Sequence, residues 1–139
     1  MARDTVTVAD LDLNDEYITV GIDDTLQEAA RRLLTVPGGI LIVLSDESKT
    51  KGVLGYKQML QAIDKEIDTK TATCGEYMEM DFMEVNLQDE LPVVLKKIRQ
   101  QSPQAVVAVD DSGDFRGYFS PSDYQESRAM VKSLKRLRL

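Results

Sequence analysis

The spacing of hydrophobic residues along the chain changes several times, and each change marks an element. Residues 17–22 alternate weakly and are rich in strand formers, which predicts a short strand. Leu26, Ala29, Ala30, Leu33 and Leu34 then recur at helical spacing on one face, with Glu28, Arg31 and Arg32 on the other. Thr25 and Glu28 are spaced as a capping box at the start of that helix, and Val36-Pro37-Gly38-Gly39 ends it. Ile40 to Leu44 is a continuous aliphatic run, as expected of a strand buried on both faces. Next come a polar turn over residues 45–51 and a short strand at Gly52-Val53-Leu54. A helix over residues 57–67, with Met59, Leu60 and Ile63 inward, completes the first half. Residues 1–15 are polar and weakly patterned, with Val6, Val8, Leu11 and Leu13 as anchors. Residues 68–74 form a polar, threonine-rich joint that reads as the linker.

The second half of the chain repeats the first. Residues 82–87 predict a strand and residues 89–101 a helix, Pro92 being tolerated in its first turn. Gln101-Ser102-Pro103-Gln104 breaks that helix. Ala105 to Val109 is again an aliphatic strand, Asp110-Asp111-Ser112-Gly113 a turn, and Phe115 to Phe119 a strand leading into a last helix at Pro121. One offset of 65 residues relates Val20 to Val85, Asp24 to Asp89, Leu26 to Leu91, Asp46 to Asp111 and Gly52 to Gly117. Like-for-like pairs lie between them: Tyr17 with Phe82, Arg31 with Lys96, Leu33 with Ile98, Ile42 with Val107. Two copies of one β-α-β-β-α unit are predicted, an α/β (α+β) fold. Each copy is too small to bury its sheet alone, so the two are expected to pack face to face about a pseudo-two-fold axis.

The most informative stretch is Gly117-Tyr118-Phe119-Ser120-Pro121-Ser122-Asp123, where a strand runs directly into a helix. Ser120 offers an N-cap hydroxyl, Pro121 occupies a first-turn position, and Asp123 faces the positive end of the macrodipole. A helix start needs nothing more. The same geometry turns backbone N–H groups toward an anion and leaves an acid to hold vicinal hydroxyls such as those of a ribose. Both readings stand on these residues.

Composition narrows the chemistry. At 139 residues, 42% hydrophobic and 29% charged, the chain fits one globular domain or two small repeats sharing a core. Aliphatic runs of five residues are far too short to span a bilayer, and the polar start, with Arg3 and Asp4, lacks a signal-peptide core. The single Cys74 permits no intrachain disulfide and fits a reducing, cytoplasmic setting. A net charge of −7 argues against nucleic acid as partner. Histidine is absent, which removes Ser-His and Cys-His nucleophile pairs; with one cysteine, no metal site is expected. Catalysis is disfavoured.

The doubled unit ending in Gly-h-h-Thr/Ser-x-x-Asp (h, hydrophobic) resembles a CBS-domain pair, or Bateman module, of the stand-alone tandem type. The resemblance places a first unit at residues 11–67, a second at 75–130 and a basic helical extension at 131–139. The second copy carries the motif intact. The first reads Gly52-Val53-Leu54-Gly55-Tyr56-Lys57-Gln58, with Gly for the hydroxyl residue and Gln for the acid. The family's usual role is regulatory. Its pairs bind AMP, ADP, ATP or S-adenosylmethionine in clefts between units, modulate a partner protein and commonly dimerise. By this resemblance Asp123 would hold the ribose, with Ser120 and Ser122 facing phosphate. Leu13, Ile18, Gly38, Gly39 and Ile40 of the facing unit would form the base pocket. A mirror cleft would use Gly55 and Gln58 with Met78, Met83, Pro103, Gln104 and Ala105, and is expected to be weak or empty. The expected function is therefore a cytoplasmic, homodimeric sensor of an adenosine ligand acting on an unidentified effector; a ligand-free interaction scaffold is the alternative.

Three further features have plainer readings. Asp110-Asp111-Ser112-Gly113-Asp114 resembles a calcium loop, but its twelfth position is Pro121, so a hairpin turn is expected. Met78, Met80 and Met83 suit a core, an interface or an adaptable base pocket. Arg128, Lys132, Lys135, Arg136 and Arg138 make the last helix basic at its C-terminal end, with Val131, Leu134, Leu137 and Leu139 as an apolar stripe for self-association.

Overall fold

The computed structural model describes residues 6–36 and 38–137, with side chains up to residue 134. Expectations for Arg3, Asp4, Pro37, Arg138, Leu139 and the side chains of Lys135, Arg136 and Leu137 lie outside the described residues. Two three-stranded sheets are present, ordered β1-β2-β3 and β4-β5-β6. The first comprises β1 (Tyr17–Gly21), β2 (Ile40–Leu44) and β3 (Thr50–Leu54), with α1 (Leu26–Leu33) between β1 and β2 and α2 (Tyr56–Asp64) after β3. After α3 (Cys74–Tyr77), the second comprises β4 (Phe82–Asn86), β5 (Ala105–Val109) and β6 (Phe115–Phe119), with α4 (Leu91–Gln101) and α5 (Pro121–Leu137). β1 and β2 run parallel, and the hairpins β2–β3 and β5–β6 antiparallel. This is the β-α-β-β-α order read twice from the hydrophobic pattern.

Alternation along the strands explains the two cores. Leu41 and Val43 pack with Leu26, Ala29, Leu33, Leu54 and Ala62, whereas Ile42, pointing the other way, is equally buried. β2 is thus buried on both faces, as its unbroken aliphatic run requires. In the second sheet Val106, Ala108 and Phe119 pack with Val85, Leu91, Val94 and Leu95. The repeated aspartates have matching tasks. Asp24 accepts the Gly21 N–H at 2.7 Å and Asp89 the Asn86 N–H at 3.0 Å, closing the strand-to-helix turn in each copy. Thr25 caps α1 by accepting the Glu28 N–H at 3.2 Å. The Glu28 carboxylate turns instead to Arg31 and Arg32, so only half of the expected box forms.

The compact units do not follow the order of the sequence. One is Glu16–Phe82; the other joins residues 6–15 to residues 83 onward. In the second unit the Val8 and Ala9 N–H groups donate to the Asp89 and Leu87 carbonyls (3.0 and 2.9 Å), and the Leu91 N–H donates to Val6. In the first, Cys74 and Gly75 donate to Asp24 and Ile22 (2.8 and 2.9 Å), and Leu26 donates to Ala72. The two sets correspond bond for bond. Each repeat is completed by the stretch preceding the other repeat's first strand. Residues 68–74 are therefore no loose joint: Ala72 and Cys74 are buried, and Thr73 and Glu76 cap a short helix.

The terminal helices differ from expectation in their outward faces. On α2, Ala62 is buried and Met59 partly so, but Leu60 and Ile63 are 64% and 67% exposed, with Tyr56 beside them. The helix spans Tyr56–Asp64, and Met59 and Ala62, three residues apart, mark its inward face, off which Leu60 and Ile63 fall. α5 runs unbroken to Leu137, so residues 131–137 continue this helix. Met130 and Val131, the latter from the expected apolar stripe, are partly buried against the second core. No described helix is long and apolar enough to cross a membrane.

Candidate functional site

The motif Gly-Tyr-Phe-Ser-Pro-Ser-Asp is assembled from three physical requirements. Gly117 lies under the N-terminal stretch: a Cβ there would come within 2.6 Å of Leu13 Cβ and 2.8 Å of the Leu13 carbonyl oxygen. That closeness lets the Tyr118 N–H donate to the Leu13 carbonyl at 3.0 Å. Gly52 has the same task in the first unit, beneath Met78 and Glu79. Tyr118 and Phe119 are buried strand residues. Ser120 and Asp123 then close a reciprocal cap. Asp123 Oδ2 accepts the Ser120 N–H at 2.9 Å and its hydroxyl at 3.0 Å, while Ser120 Oγ accepts the Asp123 N–H at 3.1 Å. Both side chains are buried, Ser120 at 1% and Asp123 at 5% exposure, and the Ser127 hydroxyl donates to the Asp123 carbonyl at 2.7 Å. Ser122 is exposed in the first turn of α5.

Beside this cap lies a cavity of about 220 Å³. It forms because β5 and β6 are antiparallel, pairing Val106 with Phe119, so the start of β5 meets the end of β6. Pro103, Gln104 and Ala105 form one wall, Tyr118, Phe119 and Ser120 another, and Tyr124 and Gln125 of α5 the third, over Ile98. Pro103, Gln104 and Ala105, expected in the mirror cleft with Gly55 and Gln58, are set beside Ser120 within their own unit by the hairpin. The sequence does carry that signal, since a tight turn at residues 110–113 forces this adjacency. Nothing in the sequence pattern singles out Tyr124 and Gln125, one turn into the helix.

Leu13 is buried in the same unit as Ser120, where it packs on β6. Ile18, Gly38, Gly39 and Ile40 belong to the Glu16–Phe82 unit. Gly38 has φ +79°, a left-handed conformation in the turn after α1. Gly39 admits the Glu16 carbonyl, which would lie 2.5 Å from a Cβ, and Ile40 donates to that same carbonyl at 3.1 Å as β2 begins. In this unit the cap is half made: Gln58 Oε1 accepts the Gly55 N–H at 2.8 Å, but Gly55 has no hydroxyl to return the bond. Met83 is buried in the second core, Met78 packs over Gly52, and Met80 is exposed.

No group of three His, Cys, Asp or Glu side chains that could hold a metal occurs among the described residues. Asp110 instead accepts the Ser112 and Asp114 N–H groups in a hairpin turn, and the Asp114 bond, with Arg116 nearby, lowers its carboxyl pKa. Cys74 is buried, and burial together with the Asp24 charge pushes its thiol up to about 11. A thiol so placed stays largely protonated at neutral pH.

Residues 8–65 match the family model of the CBS domain. Solved structures with the same fold include a CBS domain protein from Pyrobaculum aerophilum complexed with AMP. The two are 19% identical with a TM-score of 0.76, covering 94% of this chain and 98% of that one. A CBS domain-containing protein of unknown function from Bacillus anthracis matches at 17% identity and TM-score 0.75, over 90% and 94% of the chains. Hypoxic Response Protein I, with two coordinated zinc ions, matches at 20% identity and TM-score 0.72, over 87% and 98%. No match to a curated protein sequence was found. Residues 8–65 thus match the CBS domain, and the chain's two repeats have the fold of a CBS-domain pair.

Proposed function

We propose that the chain is a regulatory, non-catalytic module that binds an adenosine ligand and transmits its presence to a partner protein. The observation that carries this reading is the cavity beside the Ser120–Asp123 cap, where a hollow lined by Pro103, Gln104, Tyr118 and Ser120 lies at the start of a helix that Asp123 caps. A planar base fits the apolar part, Asp123 would take the ribose hydroxyls, and Ser120 and Ser122 would face the next group along the ligand. The AMP held by the Pyrobaculum aerophilum protein of the same fold supports an adenine nucleotide as the class.

The test is thermal unfolding with AMP, ADP, ATP, S-adenosylmethionine and GTP. A ligand that binds only the folded chain adds about 2.7 kcal/mol at a hundredfold excess over its dissociation constant. A rise with adenosine compounds and none with GTP is expected. No rise with any of them would sink the reading.

A second reading, a dimeric interaction scaffold, is favoured by α2. Tyr56, Leu60 and Ile63 stand exposed at helical spacing on one face, and Lys57 and Asp64 flank them with opposite charges. An antiparallel pairing with a second copy would set Lys57 against Asp64. Leu60→Asp is expected to convert a dimer to a monomer in sedimentation without loss of helix content. An unchanged mass in the variant would remove α2 as the interface.

A further inference from the structure

The side chains around the cavity separate the adenosine compounds by charge. Among the described residues its polar lining consists of Gln104, Ser120, Gln125 and the two tyrosines, Tyr118 and Tyr124; every other described side chain in the wall is apolar, and none of them carries a charge. Arg128 of α5 lies with its guanidinium carbon 6.0 Å from the centre of the Tyr124 ring and is no part of the wall. The positive end of the α5 macrodipole, which would otherwise favour a phosphate, already faces the Asp123 carboxylate. The chain's net charge of −7 adds a repulsive background. At about 220 Å³ the cavity also falls below the roughly 300–1,000 Å³ of sites that enclose whole drug-sized ligands. It has room for the base and sugar end, while any phosphate chain would lie outside without a counter-charge from this wall.

We infer that this site selects a low-charge nucleoside ligand, adenosine or its monophosphate, and discriminates against nucleoside triphosphates. The inference rests on the adenosine reading above and sharpens it to a charge class. The amides of Gln104 and Gln125 suit a neutral edge of the ligand, and both lack the charge that would anchor a polyphosphate.

Calorimetric titration of the intact chain with adenosine, AMP and ATP, without divalent cation, at about 0.01 M and about 0.15 M ionic strength, tests this. Adenosine and AMP are expected to bind within about tenfold of each other, and ATP at least about tenfold more weakly than AMP. Raising the salt should tighten ATP, because it screens repulsion. Gln125→Lys, at an exposed helix position, should bring ATP closer to AMP. ATP binding as tightly as AMP, or loosening as salt rises, would overturn the charge selection while leaving the adenosine reading intact. An AMP-to-ATP ratio unchanged in Gln125→Lys would also count against it. Binding by none of the three would remove both.

Discussion

Asp123→Ala is expected to lower the stability of the unliganded chain and to abolish its response to an adenosine ligand. The first effect follows from the cap. Asp123 Oδ2 accepts both the N–H and the hydroxyl of Ser120, a residue only 1% exposed, so truncation leaves the backbone donor without this acceptor and without water. Losing a cap costs about 0.5–2 kcal/mol, and stranding a buried donor about 1–3 kcal/mol. These overlap, and a net loss of about 2 kcal/mol is expected, a fall in Tm on the order of 8 °C for a chain of this size. Asp123→Asn separates the two roles. Its amide oxygen can still accept from Ser120, so most stability should return, whereas the neutral group should hold vicinal hydroxyls more weakly. Thermal unfolding of both variants, with and without AMP, reads the two effects independently. Full ligand response in Asp123→Ala would reduce the residue to a cap.

Gly117→Ala is expected to destabilise more. The added methyl would meet the Leu13 Cβ and carbonyl at 2.6 and 2.8 Å, and a backbone carbonyl cannot swing aside as a flexible side-chain end does. Either β6 or the N-terminal stretch must move, at the cost of the Tyr118–Leu13 hydrogen bond and of packing by Val8, Leu11 and Leu13. A loss of about 3 kcal/mol is expected from overpacking of this kind. It should appear as a lower denaturation midpoint with faster amide exchange over residues 6–15. Gly55→Ala is the control: its new methyl would find its nearest neighbour at 3.7 Å, and its backbone is extended (φ −128°), so the change should be within about 0.5 kcal/mol. Equal losses in the two variants would show that the close approach at Gly117 is not what demands a glycine.

The order of elements was legible because each strand and helix has its own hydrophobic period, and because Asp24 and Asp89, or Gly52 and Gly117, answer the same local need in each copy. The outward face of α2 was not. Leu60 and Ile63 look like core residues, and only the phase of the helix, set by Ala62 and Met59, shows that they face out. The true partners of residues 6–15 and 68–82 were hidden for another reason. A polar stretch shows little periodicity, and backbone hydrogen bonds to a distant strand carry no residue code. The Thr7-Val8-Ala9-Asp10 and Thr73-Cys74-Gly75-Glu76 capping boxes were the one readable sign that the two stretches are equivalent. For the candidate site, the cap at Ser120 and Asp123 was visible from residue type. Gln104 and Tyr124 needed the pairing of β5 with β6 before they could be placed.

The exchange of those two stretches sets an order on folding during synthesis. The Glu16–Phe82 unit is continuous and holds its own completing segment, so it can close once Phe82 has left the ribosome. Residues 6–15 precede that unit in the chain, and the long-range backbone hydrogen bonds described for them run to residues made after it. They must wait until Leu87, Asp89 and finally Tyr118 emerge to accept or offer their hydrogen bonds. A stretch made before the first unit thus docks after it, and Val8, Leu11 and Leu13 reach the burial they have in the folded chain only at that late step.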